Sequence, residues 1–220
     1  MSESLTLAID ASTYRGTVAV LAGRRVIATS EVAMRGEREE RLMPAIAAAL
    51  GSAGATVGDL ANVVVGGGPG SFTSLRIGVA LAKGICVARG IPLAAMPSLA
   101  LLVAGSDAAA ADGRYLAILD AMRGDVHAAV VESRQGMIVA CSGAHLVARG
   151  AVASVAREHE AQIAGAGEAL DAAPHARGLA RLDPSLVRAV SLGGWEPAYG
   201  RLAEAQVKWE AEHGRSLATG

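Results

Sequence analysis

Residues 66–78, Gly-Gly-Gly-Pro-Gly-Ser-Phe-Thr-Ser-Leu-Arg-Ile-Gly, restrict the fold of this chain more than any other stretch. The β-branched run Val63-Val64-Val65 precedes them and reads as a buried strand, while residues 75–89 follow as an apolar helix. A strand must therefore pass to a helix through a loop of small residues, the corner unit of an α/β protein. Glycine reaches positive φ without Cβ strain and proline holds φ at about −65°, so such a loop has few accessible shapes once folded. Ser71, Thr73 and Ser74 offer hydroxyls to cap a helix starting near Leu75. Two uses remain open for the corner: an anion site at a helix N-terminus, or a tight connection. No Lys follows the last glycine as a Walker loop requires, Ser71 stands where GxGxxG needs its third Gly, and Phe72-Thr73 excludes a G-x-S-x-G elbow.

The segment Gly68 to Gly78 resembles GPGSFTGLRIG, the signature of the bacterial TsaB (YeaZ) family, and departs from it only at Ser74, where the family has Gly. That family is the dimerisation subunit of the machinery that makes threonylcarbamoyladenosine in tRNA. The resemblance extends from Leu5 to about Trp209 and is strongest in the first half. Pro44 falls where the family has the Pro of His-Ser-Glu-x-Leu-Leu-Pro, with Arg38 in place of the His. Asp120-Ala121-Met122-Arg123-Gly124-Asp125 resembles the family's Asp-Ala-Arg-Arg-Gly-Glu, Gly165-Ala166-Gly167 its Gly-x-Gly, and Pro197-Ala198-Tyr199-Gly200-Arg201 its Pro-x-Tyr-Leu-Arg.

Along the chain, residues 5–9, 17–21 and 26–31 read as a strand followed by a hairpin turning at Gly23-Arg24. Residues 39–50 read as a helix in which Pro44 predicts a kink or a loosely formed first turn. Residues 92–95 form a further strand, 98–104 a helix, and 105–113 a linker. The order then restarts, with strands at 115–120, 126–132 and 137–140. The repeat predicts two mixed α/β lobes, 1–108 and a smaller 109–220. The resemblance implies the actin-like, Hsp70 and sugar-kinase (ASKHA) fold, which is ribonuclease H-like, with a reduced second lobe.

In that superfamily an Asp ending the first strand acts through metal-bound water while hydroxyls and amides hold phosphate. By that resemblance Asp10, Ser12 and Thr13, with Gly68, Pro69, Gly70, Ser71, Phe72 and Thr73, are the candidate phosphate-loop residues. A capping Asp in a turn explains Asp10 equally well. In the second lobe, Asp120-Ala121-Met122-Arg123-Gly124-Asp125 stands where an ATP-hydrolysing member would repeat Asp-x-Gly, putting two bulky side chains where phosphate would sit.

The five histidines stand at 127, 145, 159, 175 and 213, without HxxxH or HExxH spacing, so no helical metal site is expected. TsaD, the catalytic relative in the pathway, carries a metal-binding His pair in its first lobe, and here that lobe has no histidine. The expectation is a non-catalytic subunit without its own cofactor, ATP or ADP being met only within the complex. Its implied role is to support TsaD in modifying adenosine 37 of tRNAs reading ANN codons, with the ATPase TsaE in the larger complex. The alternatives are a small-molecule kinase of the superfamily, for which Gly193-Gly194 followed by Trp-Glu-Pro fits an adenosine site poorly, and a metallopeptidase.

The family resemblance places the first two helices against matching helices of TsaD. The expected contact uses Leu42, Met43, Ile46, Leu75, Val79 and Cys86, with Arg38, Arg76 and Lys83 around it, and the same surface pairs with itself when TsaD is absent. A net charge of −1 and 3% aromatic residues give little for phosphate neutralisation or base stacking, so tRNA is expected to be met through the complex. Met1-Ser2-Glu3-Ser4 lacks a basic n-region, no stretch reaches the ~18 apolar residues of a membrane span, and two distant cysteines, Cys86 and Cys141, read as reduced thiols. A cytoplasmic protein is expected.

Overall fold

The computed structural model describes residues 4–34, 41–106 and 111–200. Its first sheet is built from β1 (Leu5–Asp10), β2 (Arg15–Ala22), β3 (Arg25–Ala33), β4 (Leu60–Gly66) and β5 (Leu93–Met96), in the order β5-β4-β1-β2-β3. The second holds β6 (Gly113–Asp120), β7 (Asp125–Arg134), β8 (Met137–Cys141), β10 (Ala161–Gly165) and β11 (Leu170–Asp171), in the order β11-β10-β6-β7-β8, with β9 (His145–Ala148) also paired to β7. The two sheets thus repeat one plan: an antiparallel hairpin beside the opening strand on one side, and a parallel neighbour reached through a helix on the other. This is the duplicated ASKHA plan.

Helices α1 (Leu42–Ser52) and α2 (Phe72–Arg89) cover the outer face of the first sheet, and α4 (Val152–Glu158) covers part of the outer face of the second. Between the sheets runs α3 (Ser98–Ala104), every residue of which is buried. Its complete burial follows from Ser-Leu-Ala-Leu-Leu-Val-Ala, a helix apolar all round, which needs cover on every side. The strands alternate or run apolar according to whether one or both faces are covered. Val63, Val64 and Val65 in β4 are buried because α2 lies on one face and α3 on the other.

Several local expectations change. The helix after β4 starts at Phe72, three residues before Leu75. Ser71 occupies its N-cap position without a side-chain cap, its hydroxyl lying 3.0 Å from that of Ser74. Pro44 is the third residue of α1, where a backbone N–H would have no intrahelical partner, so it removes no hydrogen bond, and Ala45 N–H still reaches Arg41 O at 3.1 Å. Residues 35–40, including Arg38, lie outside the described residues. After β11 the chain returns to the first sheet: β12 (Arg188–Ala189) pairs antiparallel with β5, and residues 190–200 then cross the glycine loop. The 1–108 and 109–220 division therefore does not describe sheet membership, because the end of the described chain joins the first lobe.

Candidate functional site at the glycine loop and the cleft between the sheets

Asp10 ends β1 fully buried. Its Oδ1 accepts the Ser12 backbone N–H at 3.0 Å and the Ser12 hydroxyl at 2.7 Å, while its Oδ2 accepts the Ser98 hydroxyl from the start of α3 at 2.7 Å. The same Ser98 oxygen accepts the Gly68 N–H at 3.1 Å. Burial pushes the Asp10 carboxyl above its ordinary 3.8, against the pull of the hydrogen bonds from Ser98 and Ser12 and of the more distant His175. One carboxylate thus ties the first strand to the glycine loop and to α3.

The loop closes on this anchor rather than opening a space beside it. Ser71 N–H donates to Ser12 O at 2.7 Å, and a Cβ on Gly70 would collide with that same carbonyl. A Cβ on Gly66 would collide with Asp10 Oδ2. Both Asp10 carboxyl oxygens are thus engaged by protein donors, from Ser12 and Ser98, and the residue is fully buried. Of the candidate phosphate-loop residues, Asp10, Ser12, Gly68 and Pro69 are buried, Gly70, Ser71 and Phe72 are half-buried, and Thr73 is exposed.

The loop's other side is covered by residues 195–199. Ala198 N–H donates to Gly67 O at 2.8 Å, and Gly68, at φ 86°, has no room for a side chain because the Ala198 carbonyl sits against it. The Trp195 ring reaches Gly67, and the Tyr199 ring packs on Phe72 with centroids 4.6 Å apart. The glycine loop that carries the family signature and the stretch that resembles Pro-x-Tyr-Leu-Arg, more than 100 residues apart, are therefore in direct contact.

The open space lies beside this corner, in a cleft of about 1030 Å³ between the sheets. Thr13 is the one predicted phosphate-loop residue that lines it; its lining also includes Tyr14, Arg15 and Glu31 from the first lobe and Asp120, Arg149, residues 171–175 and Arg177 from the second half. Glu31 is taken from both sides, by Arg15 at 2.9 Å and by His175 Nε2 at 3.1 Å. His175 Nδ1 accepts the Arg177 backbone N–H at 3.0 Å, which fixes the neutral Nε2–H tautomer. Burial and the Arg177 charge hold this imidazole below its ordinary 6.5, outweighing Glu31 and Asp10. Among the described residues no group of three or more His, Cys, Asp or Glu converges as metal ligands do. Both thiols are free, and burial raises them, Cys141 to about 11, which leaves them protonated and weakly nucleophilic near neutral pH.

The expected partner patch is mostly core. Leu42, Ile46, Leu75, Val79 and Cys86 are buried between α1, α2 and the first sheet, because the apolar stripe of a surface helix faces its own sheet first. Lys83 donates to the Trp195 carbonyl at 2.6 Å, and the Arg76 guanidinium lies 5.0 Å from the centre of the Phe72 ring. Met43, 38% exposed, and Arg76 remain at the surface. Exposed beside them are Ala47, Ala48 and Gly51 on α1 and Ala80, Gly84, Val87 and Ala88 on α2.

Residues 31–180 match the family model described as "TsaD: tRNA N6-adenosine threonylcarbamoyltransferase". The chain is 36% identical over 132 residues to the tRNA threonylcarbamoyladenosine biosynthesis protein TsaB of Bacillus subtilis, a match covering 60% of this chain and 57% of that one. It is 32% identical over 121 residues to TsaB of Escherichia coli, covering 55% and 52%. The solved structure of YeaZ from Pseudomonas aeruginosa superposes with a TM-score of 0.73 at 26% identity, over 89% of this chain and 99% of that one.

The chain belongs to this family, in its TsaB (YeaZ) branch.

The matches with the two TsaB sequences span only about half of each relative's length. The likeness to YeaZ over nearly its whole length extends the TsaB assignment into the second sheet and the crossing segment. No helix among the described residues of this TsaB-family chain is long and apolar enough to cross a membrane.

Proposed function

We propose that this TsaB-family chain is a non-catalytic subunit in threonylcarbamoylation of tRNA adenosine 37, binding a TsaD-type transferase through the exposed faces of α1 and α2. The observation that carries this reading is Gly84. It lies inside α2, exposed, at ordinary helical φ, and a Cβ there would meet nothing within 4 Å. Glycine inside a helix costs about 1 kcal/mol relative to alanine, and nothing among the described residues requires it here. A close-packed neighbour from outside would. Ala80, Gly84 and Ala88 repeat at intervals of four, so they share one side of α2, with Val87, 67% exposed, beside them. Such a surface lets another helix approach closely, and a single methylated residue at its edge supplies the apolar contact.

The non-catalytic part of the reading is supported by the closed Asp10 corner, by protonated thiols and by a first lobe without histidine. The ATPase TsaE and tRNA are then met through the assembled complex, and the same helix faces pair two copies of this chain when TsaD is absent. Gly84→Leu tests the assignment. It should raise or leave unchanged the melting temperature while weakening association with the TsaD-type protein of the same organism at least tenfold, a change of about 1.4 kcal/mol. Undiminished association by calorimetry would refute this surface.

A further inference from the structure

We infer that residues 195–199 act as a strap that holds α2 in its partner-binding position, so that partner affinity is set by whether the strap is docked. The inference rests on the α2 assignment above. The N-terminal turn of α2 has no side-chain cap. What holds it is the Ser71-to-Ser12 backbone bond on one side and, on the other, the strap: Ala198 N–H on Gly67 O, and Tyr199 on Phe72. One helical turn below the exposed Ala80, Lys83 directs its ammonium to the Trp195 carbonyl. Arg76 lies over the Phe72 ring that Tyr199 supports. Two of the three basic side chains expected around the partner contact, Lys83 and Arg76, are therefore held, directly or through Phe72, by the strap.

Undocking it would release the Lys83 ammonium into the neighbourhood of Gly84, withdraw the support of Phe72 and free the Gly67 carbonyl. Helix α2 carries glycines at 78 and 84, which weaken its intrinsic helicity, so its first turns depend on these tertiary contacts. The strap also reaches the second lobe, where Gly200 lies against His127 on β7. A displacement between the lobes would thereby reach the partner face through a segment that touches both.

Tyr199→Ala and Ala198→Pro, each in the full chain, remove one strap contact apiece, the ring on Phe72 and the N–H on Gly67 O, and leave the Ala80, Gly84 and Val87 face unaltered. Amide hydrogen exchange across residues 67–78 should quicken in both variants. Affinity for the TsaD-type partner should fall at least fivefold, the lower end of ordinary coupling between sites. Faster exchange with unchanged affinity overturns the coupling, and so does unchanged exchange in both variants. Gly84→Leu measured alongside separates the two levels: lost binding there with full binding in the strap variants overturns the strap alone, whereas full binding in all three overturns the partner face and the coupling with it.

Discussion

The molecule contains the same opening twice, and the two copies treat the same residue differently. Asp10 ends β1 and Asp120 ends β6, each followed by a short connection into an antiparallel strand. The first connection places six residues between the last paired positions, Asp10 and Thr17; the second places five, between Asp120 and Val126. Asp10 is buried and binds three donors from two segments, whereas Asp120 is exposed and accepts only the local Met122 N–H, at 3.1 Å, among the bonds described. The difference lies in what crosses overhead. Beside β1, the loop from β4 to α2 folds back over the Asp, and Gly66 leaves it room. Beside β6, the equivalent Gly165 at the end of β10 packs on Ile118 and the chain passes next to β11 rather than to an α-helix. An aspartate at the end of an opening strand thus becomes an anchor or a surface cap according to the neighbouring loop, so its position alone does not mark a phosphate site.

The strongest way to break that comparison is to add a methyl group to each equivalent glycine. Gly66→Ala drives Cβ into the Asp10 carboxylate and should cost about 3 kcal/mol or more, while Gly165→Ala presses less deeply on Ile118 Cγ1 and the Ile118 carbonyl and should cost about 1–2 kcal/mol in denaturant melts. Equal losses would show that the two corners are alike. Next comes deletion of the carboxylates themselves. Asp10→Ala strands the Ser98 and Ser12 donors in the interior and should cost about 2–3 kcal/mol, against about 0.5 kcal/mol for Asp120→Ala.

A pH titration sharpens the contrast further, because His175 stands behind Asp10 and Glu31. Its folded value lies below the ordinary 6.5, so on acidification the unfolded chain takes up this proton first. The stability it contributes is complete above about pH 6.5 and is lost as pH falls toward the folded value. His175→Gln should flatten that part of the stability–pH curve, and an unchanged curve would mean that His175 is not the group responsible. The smallest effect belongs to the second corner. Met122 is 56% exposed at φ 64°, so Met122→Gly should relieve backbone strain and raise stability by about 0.5 kcal/mol, once the greater freedom of glycine in the unfolded chain is counted. A loss of stability would place Met122 in a contact that the turn geometry does not reveal.

Much of the fold was legible because β-branched runs and apolar periodicity report burial directly. Residues 98–104 as a helix and 63–65 as a buried strand are examples. The same signal explains why most residues of the expected partner patch are buried. Leu42, Ile46, Leu75, Val79 and Cys86 carry the apolar pattern, and that pattern points into the helix's own sheet. The residues left outside, Ala80, Gly84 and Ala88, look like filler in a sequence because small side chains give no periodic signal. Ser98 as a partner of Asp10 was equally hidden, since 88 residues separate them and a serine beginning a helix reads as a cap. Residues 197–201 carried a motif resemblance but no signal of where they dock: residues 190–200 are irregular, and their bonds to Gly67 and Lys83 span more than 100 positions. The cleft lining from 171–175 and Arg177 shares that difficulty, being held by His175 and Glu31 from opposite ends of the chain.

The central claim is that Asp10 anchors the fold while the small-residue face of α2 carries function. It is tested most directly by the rate of threonylcarbamoyladenosine formation in a mixture of tRNA, the TsaD-type enzyme and its other partners, supplied with this chain as wild type, Asp10→Asn or Gly84→Leu at equal folded concentration. The account predicts near wild-type rates with Asp10→Asn, which keeps the shape and acceptor oxygen of the anchor, and at least a tenfold loss with Gly84→Leu. Loss of the reaction with well-folded Asp10→Asn, alongside full activity of Gly84→Leu, would contradict it.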